Sequence, residues 1–194
     1  MKNKYSFTGE QKITATLVDG DYIWISFYGV SNNCALYKSS KFNPNIKYWD
    51  VDITADEVTS IIDGTGYIYV SLDDSLYMGA VVNKTTPSII FYYSIPLGVT
   101  EKAIDLIDDD NYIYFLTPGI NSGTNAKIVK YDKSTGEFIE TIDLAKTGDV
   151  VENASKIDID IDGNLWVVSE LNSTPILTKV YYDSGWNFSS TVLS

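Results

Sequence analysis

Ile161-Asp162-Gly163-Asn164-Leu165-Trp166-Val167-Val168-Ser169 reads as the end of one β-strand, a tight turn and the opening of the next strand. Asp, Gly and Asn suit the turn because they tolerate its backbone angles or bond back to it, and the β-branched and aromatic run after them suits a strand. The same grammar occurs three more times. Val18-Asp19-Gly20-Asp21 leads into Tyr22-Ile23-Trp24-Ile25-Ser26, and Ile62-Asp63-Gly64-Thr65-Gly66 into Tyr67-Ile68-Tyr69-Val70-Ser71. Ile107-Asp108-Asp109-Asp110-Asn111 leads into Tyr112-Ile113-Tyr114-Phe115-Leu116. Tyr22, Tyr67 and Tyr112 follow one another at intervals of 45 residues, and the step from Tyr114 to Trp166 is 52, with an insertion around 146–155.

The second half of each unit repeats as well. Lys130-Tyr131-Asp132-Lys133-Ser134-Thr135-Gly136-Glu137-Phe138 is a strand end, a turn and a new strand. Asn83-Lys84-Thr85-Thr86-Pro87-Ser88-Ile89 and Tyr182-Asp183-Ser184-Gly185-Trp186 fill the same slot, and Lys38-Ser39-Ser40-Lys41-Phe42-Asn43-Pro44-Asn45 is its longer form. Closing strands are expected at 46–53, 89–95, 138–144 and 188–193. Each unit is then a meander of four short strands. Alternation in these strands sets apolar against aromatic rather than apolar against charge, so both faces of each sheet need cover. A lone sheet cannot supply it, whereas copies stacked face to face around an axis can. The expected fold is all-β: a β-propeller of four four-stranded antiparallel blades, at about 12–53, 56–97, 101–144 and 154–194 of a single domain spanning 1–194. Trp24, Tyr69, Tyr114 and Trp166 share one repeat position and are expected between blades. Residues 147–155 are the one stretch with a helical turn in view.

Ile161-Asp162-Gly163-Asn164-Leu165-Trp166-Val167 resembles the DGNLWV signature of NHL, virginiamycin-lyase-like and two-component-regulator propellers. The strand-turn-strand at Lys130 to Phe138 is similar to blades of the quinoprotein and YVTN type. The resemblance covers nearly all of residues 12–194 and implies blade architecture. It implies no single activity, because such blades serve lyases, hydrolases, sensors and scaffolds. The lyases of this group act through His, and this chain has none, so no catalytic role carries over. Four blades form either a small closed ring or part of a larger propeller completed by further chain or a partner. The closed ring is the preferred reading, with Lys4-Tyr5-Ser6-Phe7 available as a strand beside the last blade.

Composition removes whole classes of chemistry. The 194 residues contain no His and one Cys, and all 14 positive charges are Lys, against 26 Asp and Glu for a net charge of −12. Ser-His-Asp and Cys-His catalysis and His-ligated zinc are excluded, as is an intrachain disulfide. So acidic a chain without Arg is no nucleic-acid binder, since phosphates are met by cations. No apolar run approaches the roughly 20 residues that span a bilayer. Residues 5–10 do not form the apolar core of a signal peptide. A virion or cytoplasmic location is favoured over classical secretion. Abundant Lys, Asn, Ile and Tyr suit an AT-rich genome and a virion or tail component.

Asp158-Ile159-Asp160-Ile161-Asp162-Gly163 spaces its carboxylates like the start of a calcium loop, and Asp158, Asp160 and Asp162 are the candidate Ca²⁺ ligands. The twelfth position is Ser169 rather than Glu, and the repeat alignment sets Asp162 beside Asp19, Asp63 and Asp108 as a turn residue. No other cofactor is expected. Asp105, Asp158 or Asp160, Thr16 and Ser60 fall on first strands, which line the channel of a propeller. Tyr28, Tyr48, Trp49, Tyr92, Tyr93 and Trp186 are the candidate binding aromatics, suited to peptide or sugar. Cys34, beside Ala35 and Leu36, reads as a small buried apolar residue.

The function expected is a non-enzymatic propeller that presents loops and outer strands to a protein or glycan partner, with contacts to further copies in an assembly. Two alternatives stand beside it: a propeller that binds or cleaves carbohydrate with Asp pairs and aromatics, and a sensor or scaffold domain of a longer chain.

Overall fold

The computed structural model describes residues 12–28, 34–43, 47–86, 88–119, 124–145 and 151–193. Lys4-Tyr5-Ser6-Phe7 lies outside them. Among the described residues there is no helix, and sixteen strands form four sheets of four. β1 (Ile13–Asp19), β2 (Tyr22–Phe27), β3 (Cys34–Ser40) and β4 (Lys47–Ile53) make blade 1. β5 (Glu57–Asp63), β6 (Tyr67–Asp73), β7 (Tyr77–Asn83) and β8 (Ile89–Ser94) make blade 2. Blade 3 holds β9 (Asp105–Asp108), β10 (Tyr112–Leu116), β11 (Lys127–Asp132) and β12 (Phe138–Asp143). Blade 4 holds β13 (Val151–Ile159), β14 (Leu165–Leu171), β15 (Thr174–Tyr182) and β16 (Trp186–Val192). Each blade is a simple meander, its strands neighbours in chain order.

Residues 151–155 are strand, not the end of a helical turn. β13 pairs Val151 with Leu171 and Glu152 with Glu170, then slips until Lys156 meets Val168. Asn153, at φ 51°, lies in that bulge and absorbs the extra residues that the sequence presents as an insertion. Bulges recur at the matching place in blade 1, between Ile13 and Ala15, and in blade 2, between Val58 and Ser60. At each a hydroxyl pair bridges the first two strands: Thr14 with Ser26 and Thr59 with Ser71, both at 2.7 Å.

The chain divides into two compact units, Met1–Tyr92 and Tyr93–Ser194. In the first, Trp24, Cys34 and Leu36 of blade 1 share one buried cluster with Val58, Ile68, Val70 and Leu72 of blade 2. In the second, Tyr114, Leu116 and Ile128 of blade 3 share another with Ile157, Leu165, Val167 and Val180 of blade 4. Both interfaces follow one recipe. The face bearing the repeat aromatic on one blade packs on the aliphatic face of the next, so the sheets bury each other as the strand pattern demands.

Cross-strand register aligns the repeats. Trp24 stands opposite Leu17, Tyr69 opposite Ile62, Tyr114 opposite Ile107 and Trp166 opposite Asp158. The turn-opening residues are therefore Asp19, Gly64, Asp109 and Asp160, which moves the slot of blade 4 from Asp162 to Asp160. Its turn is one residue longer than that of blade 3: Asp160 N–H donates to Asn164 O, whereas Asp109 N–H donates to Tyr112 O.

In this slot Asp109 accepts the amides of Asn111 and Tyr112 and, at 2.7 Å, the Tyr114 hydroxyl. Blade 2 has Gly64 there, and a Cβ at that position would overlap the Tyr69 ring. On the adjoining strand a Lys lies over the repeat aromatic in three blades. Lys38 sits 5.2 Å from Trp24, Lys130 5.8 Å from Tyr114 and Lys179 5.6 Å from Trp166.

Candidate functional site

The carboxylates proposed for calcium do not converge. Asp160 accepts Trp166 Nε1–H at 2.9 Å, both Asn164 groups, and the amide of Asp162. The indole and amide donors hold its pKa down at about 2, so its lone pairs already serve the turn. Asp158 accepts its neighbour's amide, from Ile159, and Asp162 is exposed. Among the described residues no three His, Cys, Asp or Glu side chains are grouped to hold a metal ion. Glu170, one step late in the calcium template, accepts Asn153 Nδ2–H at 2.7 Å.

Asp105, on the first strand of blade 3, is likewise already engaged. Asp105 is 4% exposed; its Oδ2 accepts the Ile157 amide at 3.1 Å, and Lys156 Nζ lies 3.4 Å from Oδ1. It clamps β9 to β13, and a buried carboxylate persists only with such partners. Thr16 is exposed and Ser60 half-buried.

The six candidate aromatics scatter. Tyr28 and Tyr48 are exposed, Tyr48 meeting the Tyr22 ring edge-on at 5.2 Å. Trp49 pairs with Lys38 in the β3–β4 ladder, and its side chain lies outside the described residues. Tyr92 is half-buried, stacks on Tyr77 at 4.5 Å and accepts the Thr54 amide. Trp186 is half-buried and donates Nε1–H to Glu140 Oε2 at 3.0 Å. Tyr93 is fully buried, so it is a packing residue rather than part of a binding surface. The face of β8 that carries it turns inward, and strand alternation alone does not say which face that is. Cys34 is buried; burial pushes its thiol up to about 12, which leaves it unreactive at neutral pH.

Among the described residues the second unit carries an open apolar cleft of about 340 Å³, lined by Ser94, Ile95, Pro96, Leu97, Tyr131, Gly136 and Phe138. Its parts follow from local chemistry. β8 ends at Ser94, and Pro96 to Val99 form a turn closed by Val99 N–H on Pro96 O at 3.1 Å. Gly98, at φ 87°, takes the third position that only a residue free of Cβ strain fills readily, and this leaves Leu97 fully exposed at the tip. The opposite wall is the β11–β12 turn. There Asp132 accepts the Ser134 hydroxyl and the Ser134 and Thr135 amides, which hold its carboxyl below the usual range. Gly136, at φ 75°, completes that turn.

The floor is aromatic. Tyr131 is 1% exposed and meets Tyr93, Phe115 and Phe138 at centroid distances of 5.2, 5.7 and 5.9 Å. Its hydroxyl donates to Ser94 O at 2.5 Å, tying floor to wall, and burial raises its pKa. Beside the cleft runs β12, an edge strand of its sheet, with Phe138 and Ile139 both exposed and Ile139 unpaired in a bulge opposite Lys130 and Tyr131. Asp132 and Glu137 are chain neighbours of the lining residues Tyr131, Gly136 and Phe138, whereas Lys133 is held by Asp108. Sequence reading missed this site. Its one legible sign is Pro96-Leu97-Gly98, a large apolar residue inside a turn signal.

No protein-family model and no curated protein sequence matches the chain. Solved structures do. The computationally designed Ika4 protein is 12% identical over all of both chains, at a TM-score of 0.60. BamB from Moraxella catarrhalis is 12% identical, with 98% of this chain matching 56% of that one at 0.63. The Pan2 WD40 domain from Neurospora crassa is 9% identical, with 88% of this chain matching 46% of that one at 0.59. This chain has the β-propeller fold. It spans about half the length of the BamB and Pan2 chains it matches.

Proposed function

We propose that the protein is a non-catalytic recognition module that takes an apolar, extended protein segment in the cleft beside β12. The cleft carries this reading: Leu97 and Phe138 present apolar surface around an aromatic floor, with an edge strand alongside for main-chain pairing. Asp132 and Glu137 next to the lining residues, in a chain of net charge −12, favour Lys or Arg flanking that segment. The absence of His, which removes imidazole acid–base and nucleophilic chemistry, favours recognition over catalysis. We also read the blades as of NHL or YVTN type, on the turn grammar given above.

Selection from a displayed library of random linear peptides tests the proposal. Enriched peptides should hold adjacent apolar residues beside a basic one and bind wild type, and Leu97→Asp should weaken them at least tenfold without changing the circular dichroism. No enrichment, or peptides indifferent to Leu97→Asp, would contradict it.

A further inference from the structure

β4, β8, β12 and β16 each lie at an edge of their sheet, and among the described residues no further strand pairs with them there. Unpaired main-chain groups along such an edge can take up another chain, and proteins blunt them with charge, proline or a bulge. Three of these four strands are blunted. β4 carries Lys47, Asp50 and Asp52 and slips register between Lys47 and Trp49. β12 carries Glu140 and Asp143 and slips at Ile139. β8 has no charge, but Pro87 and Pro96 bracket it in the sequence.

β16 has none of these devices. Trp186-Asn187-Phe188-Ser189-Ser190-Thr191-Val192 holds no charged residue and no Pro, in a chain of net charge −12. It pairs with β15 without a slip, from Tyr182 opposite Trp186 to Ile176 opposite Val192. The bonds at the two ends of this ladder show which way its main chain points. Asp183 N–H donates to Gly185 O and Leu193 N–H to Pro175 O, both at 2.9 Å. Bonded pairs of an antiparallel ladder fall on alternate residues, so Asn187, Ser189 and Thr191 bond inward to β15. Trp186, Phe188, Ser190 and Val192 therefore direct N–H and C=O outward.

Set antiparallel to itself with Ser189 on the two-fold axis, this strand is its own complement. Trp186 meets Val192 of the other copy and Phe188 meets Ser190, so every outward group lies opposite another. Each such pair exchanges two N–H···O bonds. On one face an aromatic ring stands beside an aliphatic or small residue, and on the other Asn187 stands beside Thr191. Copies of so acidic a chain repel one another, and this stretch lets their backbones approach without apposing like charges.

We infer that two copies of the chain associate edge to edge through β16, joining two four-stranded sheets into one continuous sheet. The contact is isologous, the same strand on both sides, so it closes at two copies. It is independent of the cleft beside β12.

Sedimentation equilibrium and amide hydrogen exchange on the full chain test this. Wild type is expected at twice 21.6 kDa at tens of micromolar, with the Phe188 and Ser190 amides gaining protection as the concentration rises. Ser189 is exposed and stands opposite Lys179 within its own chain. Ser189→Glu is thus tolerated by the fold but sets two carboxylates against each other on the axis. It should give the single mass with unchanged circular dichroism. Ser190→Pro removes an outward N–H and none of the ladder with β15, and should weaken the dimer by about tenfold or more. A wild-type monomer, leaving the edge to an extended segment of another protein, or an open series of larger species would overturn the inference. So would a dimer indifferent to both substitutions, or one in which those two amides exchange as freely as in the dilute protein.

Discussion

Asp160 shows how one side chain settles both a local fold and a functional question. Its donors are the Trp166 indole, the Asn164 side chain and two backbone amides, and all of them favour the ionised form. Its pKa in the folded state, about 2, lies below the ordinary 3.8. The stability it contributes is therefore complete above about pH 4 and disappears as the pH falls toward 2. Asp160→Asn should flatten the acid limb of the melting-temperature profile between pH 4 and 2, measured by circular dichroism. An unchanged profile would show that these bonds do not differ between the folded and unfolded states. The turn itself was legible in the sequence. Which Asp opens it was not, because matching Asp162-Gly163 to the other Asp-Gly steps ignores the one residue by which this turn is longer. Hydrogen-bond register decides that, and register is set by pairing across strands rather than by local spacing.

At the scale of elements, the strands were readable because Tyr, Ile, Val and Trp runs alternate with turn residues, and four closing strands fall within two residues of their expected limits. The bulged start of β13 was not, since a stretch of small and polar residues such as Val151-Glu152-Asn153-Ala154-Ser155 carries little strand signal of its own. Its pairing with β14 supplies what propensity lacks. The cleft was hidden for a related reason: Leu97 in a turn and Phe138 at the start of β12 are brought together only by the folded sheets. The β14–β15 hairpin offers an element-scale prediction. Asn172 and Ser173 form its two-residue loop at φ 50° and 63°, the left-handed region in both positions. Asn tolerates that region and Ser does less well, whereas Asn-Gly is the favoured pair. Ser173→Gly should stabilise blade 4 by about 1 kcal/mol in urea unfolding. A loss of stability would mean that Ser173 makes contacts that outweigh the strain.

For the molecule as a whole, the physical premise is that each sheet is stable because a neighbouring sheet covers its apolar face. The buried cluster of each unit depends on it. Leu36 in blade 1 and Val70 in blade 2 lie in one buried cluster and are both 0% exposed. A double-mutant cycle on the unfolding of the first unit, with Leu36→Ala, Val70→Ala and the pair, measures the coupling between these two sheets. We predict that the combined loss departs from the sum of the single losses by about 0.5–3 kcal/mol, as for residues sharing one packed contact. Losses that add to within about 0.3 kcal/mol would mean that the two faces do not pack on each other.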